Sequence, residues 1–145
     1  MTHIEQFFLR YFYLGNSKYA PGTVASFCIA IIWFFLPNIF LIQSLILMFH
    51  IILGFYFCYR FTSRSDEKDP KYIVIDEVVG MMISLYLIPK LFSAYLLAFI
   101  LFRLFDILKP SIIYRIQNME YGLGIMMDDI ISGILSLLIV MGLFY

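Results

Sequence analysis

Six ionisable residues stand inside or at the edge of strongly apolar stretches: Asp76, Glu77, Arg103, Asp106, Asp128 and Asp129. Such residues are costly in an apolar setting and usually serve function. Arg103, Asp106 and Lys109 follow one another at i, i+3, i+6, so on a helix each lies about 60° from the last and the three share one broad stripe. If the helix ends carrying these groups meet, five carboxylates face two cations. Carboxylates crowded away from water repel and protonate unless a cation joins them. Oxygen ligands without His or Cys favour Mg²⁺, with Mn²⁺ second. On this reading all five carboxylates, Asp76, Glu77, Asp106, Asp128 and Asp129, are metal-ligand candidates. Arg103 and Lys109 have no place in a pure metal site, but they suit an anion bound beside the metal, and a phosphate fits best.

Pro21-Gly22-Thr23 opens another apolar run. Gly22 permits close backbone approach, Thr23 can cap, and the first-turn N–H groups of a helix favour an anion. The same three residues are also an ordinary turn and cap. Gly80 and Gly133 each stand four residues after an Asp, Asp76 and Asp129, which would let a neighbouring helix or a substrate come close. The competing reading is structural: the acidic residues as helix N-terminal charges, and Arg103 with Asp106 as an i, i+3 pair. Clusters on several helices at one depth argue against that reading taken jointly.

The elements that must carry these groups are helices in a lipid setting. Hydrophobic residues make up 63% of the 145 and charged residues 14%, against the ~25% charged of ordinary domains, so much of the surface should face lipid. The balance of ten basic and ten acidic residues gives no bulk charge for nucleic acid. Cys28 and Cys58 lie in apolar runs and read as packing residues. Five apolar stretches follow the N-terminus: 24–36, 39–59, 72–88, 91–108 and 125–145. They predict an all-α integral membrane bundle of about four to five apolar helices forming one domain, 1–145. Residues 1–14 fit either an interfacial helix or, equally well, a helix packed on the spans. Gln43 and Ser44 are expected to hydrogen-bond between helices, and His3 and His50 to lie apart from the site.

If each stretch crosses once, the start of the chain and the loops at 60–71 and 109–124 share one side. All ten acidic residues and nine of the ten basic ones then fall there, with Lys90 alone opposite. The Lys/Arg bias puts the polar loops and the charged helix ends in the cytoplasm.

No phosphate-binding G-x-x-x-x-G-K-[ST] loop, G-x-S-x-G elbow or converging Ser/His/Asp set occurs. The segments Asp76-Glu77-x-x-Gly80, Phe102-Arg103-x-x-Asp106-x-x-Lys109-Pro110 and Gly124-Ile125-Met126-x-Asp128-Asp129-x-x-x-Gly133 together resemble bacterial phosphatidylglycerophosphatase A. Pro21-Gly22-Thr23 and the stretch from Asp69 to Ile75 extend the likeness. Tyr121-Gly122 replaces a usual Gly-Gly pair, and Ser111 an aromatic. The resemblance implies a multi-pass enzyme of the bacterial inner membrane, active on the cytoplasmic side. It would hydrolyse the terminal phosphate monoester of phosphatidylglycerophosphate to phosphatidylglycerol and phosphate with Mg²⁺. The charged positions then become catalytic Asp76, Asp106, Lys109 and Asp128; phosphate-binding Gly22, Thr23, Arg103 and Lys109; and metal-binding Asp76, Glu77, Asp128 and Asp129. The alternatives are another lipid-phosphate phosphatase or phosphotransferase, or a small cation carrier with intramembrane carboxylates, which would spread its acids through the membrane depth.

Overall fold

A computed structural model describes residues 1–65, 67, 70–116 and 122–145, without the side chains of Ile112, Tyr114 and Ile116. Asp69 and Tyr121, named above in the motif comparison, lie outside the described residues. All the regular structure described is helical: α1 (His3–Leu9), a 3₁₀ turn (Leu14–Asn16), α2 (Pro21–Phe35), α3 (Phe40–Thr62), α4 (Ile75–Ser84), α5 (Phe92–Leu108), α6 (Ser111–Ile116) and α7 (Leu123–Phe144).

Local chemistry sets these limits. Thr2 and Glu5 form a reciprocal capping box at the start of α1, satisfying two N–H groups that the helix cannot. Pro21 occupies the first turn of α2, where its missing N–H costs nothing. Leu36 leaves the helix in extended backbone ahead of Pro37, as the residue before a proline prefers. Gly122 enters α7 at φ 75° with its Cα against the backbone of Cys58. A side chain there would need both a left-handed backbone and space the neighbouring helix already fills.

α4 is the centre of the molecule. It packs against α2, α3, α5 and α7, most extensively against α7, and each of its residues except Glu77 is buried. The outer helices turn large apolar side chains outward, for example Leu41, Leu45, Met48 and Ile52 on α3, and Leu138 and Ile139 on α7. An apolar surface this extensive is far more than a water-soluble monomer presents. Two helices, α3 and α7, are long and apolar enough to cross a membrane, and α2 is a shorter apolar helix. The stretch 72–88, read from sequence as a span, yields only the ten-residue α4. That is roughly 15 Å of helix against a hydrocarbon core of ~30 Å. It ends in an irregular segment held by Trp33 Nε1, which donates to the Leu85 carbonyl, and by the Gln43 carboxamide oxygen, which accepts from Leu87 N–H. Ser44 meets Tyr86 at 2.7 Å.

The N-terminal helix runs antiparallel along α3: Glu5 pairs with Arg60, Phe8 stacks on Phe57 at 5.0 Å, and the Tyr11 hydroxyl meets His50 Nε2 at 3.1 Å. Two poles result. The turns after α2 and α4 gather with the C-terminus at one end, where Asn38 donates to the Ile88 carbonyl and the Tyr145 hydroxyl to the Leu87 carbonyl. The start of α2, the start of α4, the end of α5 and the start of α7 gather at the other.

Candidate active site

Asp76 and Glu77 occupy the first turn of α4, and Asp129 lies on the second turn of α7. One carboxylate oxygen from each falls within 4.8 Å of the others. Two glycines bring the helices this close. A Cβ on Gly80 would stand 2.5 Å from the Phe102 ring and 2.7 Å from the Asp129 carbonyl oxygen, and one on Gly133 would stand 2.4 Å from the Gly80 carbonyl oxygen. The two small residues therefore form the α4–α7 crossing. The first turn of α2 joins from a third direction, because a Cβ on Gly22 would stand 2.0 Å from Glu77 Oε1. Thr23 follows on the same turn.

Asp76 and Asp129 are 7% and 2% exposed, so water gives little relief to their mutual repulsion. Among the described residues, Glu77 Oε2 and Asp129 Oδ1 are buried without a hydrogen-bond partner. Buried oxygens in that condition call for a proton or a cation. Three carboxylates from two helices, with no His or Cys, are a hard-donor set that suits Mg²⁺ or Mn²⁺.

The remaining charged candidates form a second layer. Lys109 Nζ lies 2.7 Å from Asp128 Oδ2, and Arg103 Nη1 lies 2.5 Å from Asp106 Oδ2. Asp106 and Arg103 are near enough to the carboxylate trio to exert a field on it. Burial alone would lower the Lys109 pKa, but the hydrogen bond and charge of Asp128 outweigh it and raise it above the ordinary lysine value. Of the four metal-binding positions that the resemblance implies, the structure thus brings Asp76, Glu77 and Asp129 together. Asp128, about 100° round α7 from Asp129, is turned to Lys109. Gly22 packs on Glu77 with Thr23 next to it on α2, and Arg103, Asp106 and Lys109 stand near the trio.

The phosphatidylglycerophosphatase A profile matches residues 7–144. The chain belongs to the phosphatidylglycerophosphatase A family. Proteins named phosphatidylglycerophosphatase A from Escherichia coli (strain K12) and Haemophilus influenzae are 35% and 37% identical to it, over 84% and 87% of this chain and 73% and 80% of theirs. A Bacteroides thetaiotaomicron protein named "Putative phosphatidylinositol-3-phosphatase" is 35% identical over 87% of this chain and 84% of its own. No solved structure is a significant match.

Within this chain, sequence reasoning missed two features of the site. One is that Glu77 packs on the Gly22 backbone; the sequence marks Gly22 as a point of close backbone approach, in an anion site or an ordinary turn and cap, without showing which side chain comes close. The other is the left-handed backbone of Lys109, at φ 44°, which ends α5 and turns the chain toward Pro110. Pro110 was the available signal, since a helix seldom continues into the residue before proline.

Proposed function

We propose that this protein is a phosphoric monoester hydrolase that removes the terminal phosphate of phosphatidylglycerophosphate, giving phosphatidylglycerol and phosphate. The observation that carries the reading is the convergence of three carboxylates, those of buried Asp76 and Asp129 and half-buried Glu77, beside Arg103 and Lys109. Asp76, Glu77 and Asp129 would hold Mg²⁺, with Asp128 next to them. A divalent ion there would polarise the phosphoryl oxygens and acidify a bound water.

Arg103 and Lys109 neutralise the phosphoryl oxygens as charge spreads during transfer. Their carboxylate partners, Asp106 and Asp128, fix the direction of each cation. Gly22, Thr23 and the first-turn N–H groups of α2 receive a phosphate oxygen. The long apolar helices keep the protein in the bacterial inner membrane as a multi-pass bundle. The loaded pole faces the cytoplasm, in keeping with the Lys/Arg bias.

The test uses purified protein and a panel of lipid phosphates, with Mg²⁺ and then with chelator. Phosphatidylglycerophosphate should be cleaved fastest, and chelation should stop turnover reversibly. The panel includes phosphatidylinositol 3-phosphate because of the Bacteroides relative's name; preference for that lipid would replace the substrate but keep the chemistry. Asp76→Asn, Asp129→Asn and Lys109→Ala should each lower turnover at least 100-fold while the protein still inserts. Near-wild-type rates in all three would discard the site. A cation carrier fits poorly, since its acids should be spread through the membrane depth.

A further inference from the structure

An open apolar groove of about 290 Å³ runs between α2 and α5, walled by Phe27, Phe34, Tyr95 and Phe99 with Ala30 among its lining residues. Its walls are tied by edge-on ring contacts, Phe27 to Phe99 at 6.1 Å and Phe34 to Tyr95 at 5.1 Å. Edge-to-face packing of this kind holds a shaped surface. The groove begins one helical turn from residues of the candidate site on both of its helices. Thr23 stands one turn above Phe27 on α2, and Arg103 one turn beyond Phe99 on α5, so each pair shares a helix face. At the far end, Lys90 turns its ammonium inward to the Trp33 carbonyl and to the Tyr95 hydroxyl, which leaves that end without an outward charge of its own. The arrangement is amphipathic along its length: a cation and helix N–H groups at the head, aromatic walls below.

We propose that this groove seats one acyl chain of the lipid phosphate whose headgroup enters the site, and so makes the enzyme favour long-chain over short-chain substrates. The proposal rests on the lipid phosphatase reading above. From Thr23 to Phe35 the helix rises by twelve residue steps, roughly 18 Å, which is long enough to align much of a chain with the bundle. Seating one chain in a preshaped groove fixes the phosphate relative to Arg103 and converts remote binding into orientation at the reacting centre.

Two measurements test it. Wild-type protein in phosphatidylcholine vesicles is irradiated with a phosphatidylglycerophosphate analogue carrying a diazirine at mid-chain. Labels should fall on α2 and α5 at Phe34 and Phe99, at least five-fold above those from a phosphatidylcholine with the same labelled chain. Equal labelling by the two lipids would make the groove a site for boundary lipid only and overturn the proposal, as would labels confined to the outer faces of α3 and α7. In the second measurement, Ala30→Trp fills the groove, and kcat/KM is compared for dioleoyl and dihexanoyl forms of the substrate. The long-to-short ratio should fall at least ten-fold, while Leu45→Trp, on the outward face of α3, leaves it unchanged. An unaltered ratio in Ala30→Trp would also overturn it. If no lipid phosphate is hydrolysed yet the label still enters the groove selectively, the function reading fails and the groove stands. If hydrolysis proceeds and the label goes elsewhere, the groove fails alone.

Discussion

Lys109 combines a left-handed backbone, φ 44°, with an ammonium 2.7 Å from Asp128. A non-glycine residue held there costs of order 1 kcal/mol or more and persists where its surroundings require it. Here the conformation ends α5 and carries the side chain back toward α7. Replacing Lys109 by Met keeps the length and removes the charge, leaving Asp128 without its cation. Because the lysine side chain is 25% exposed, the stability loss should be about 1–3 kcal/mol, below the 3–5 kcal/mol of a fully buried pair. Turnover should fall at least 100-fold; chemical denaturation alongside a phosphate-release assay separates the two effects. Gly22 gives a complementary prediction. Alanine there would put a Cβ 2.0 Å from Glu77 Oε1, so either α2 or the Glu77 carboxylate must move. Gly22→Ala should weaken activation by Mg²⁺ at least ten-fold in a metal titration of the rate, and Gly22→Ser should do no better.

Between elements, the α4–α7 crossing determines whether the carboxylates meet. Gly133→Ala would place a Cβ 2.4 Å from the Gly80 carbonyl oxygen, backbone that cannot swing aside. The expected outcome is a lower Tm and a metal requirement shifted to higher concentration, both read by thermal melts across a Mg²⁺ series. The α1–α3 pair makes a prediction about pH. The Glu5 carboxyl is held below its ordinary value, first by the Thr2 N–H and then, against the opposing effect of burial, by Arg60 and Arg64. A lowered folded-state pKa stabilises the fold above the unfolded value of 4.5 and loses that contribution as pH falls through the folded value. Glu5→Gln keeps the capping geometry and removes the charge, so it should cost ~1 kcal/mol at pH 7, and the gap from wild type should close below pH 4.5 in melts at stepped pH. The motif positions were legible in sequence because charge inside an apolar run stands out. That α4 is the central helix was not: in a lipid setting a buried helix and a lipid-facing one are both apolar, so composition cannot separate them. Nor could sequence divide Asp128 from Asp129, since adjacent residues differ only in which neighbour their side of α7 meets.

At the scale of the whole molecule, charge and apolar surface are sorted along one axis. The pole with the carboxylate trio also carries Arg60, Arg64, Arg103 and Lys109, while the opposite pole carries Lys90, whose ammonium is drawn into the Trp33 carbonyl and Tyr95 hydroxyl. Burial holds the Lys90 pKa below the ordinary lysine value, so this one cation weakens the asymmetry little. Between the poles the outer helices are apolar. Insertion favours retention of Lys/Arg-rich segments on the cytoplasmic side, and moving that pole across the bilayer would carry several charges through a low-dielectric layer. The orientation should therefore be single rather than dual. In a Cys28→Ala, Cys58→Ala background, Ser63→Cys and Ser111→Cys report on the charged pole and Leu91→Cys on the other; all three native residues are exposed. An impermeant maleimide added to intact spheroplasts should label Leu91→Cys alone, and added to inverted vesicles should label the other two. Labelling of Ser111→Cys in intact spheroplasts would put the carboxylates on the outer face and overturn the proposed cytoplasmic orientation, whatever the purified protein hydrolyses in detergent.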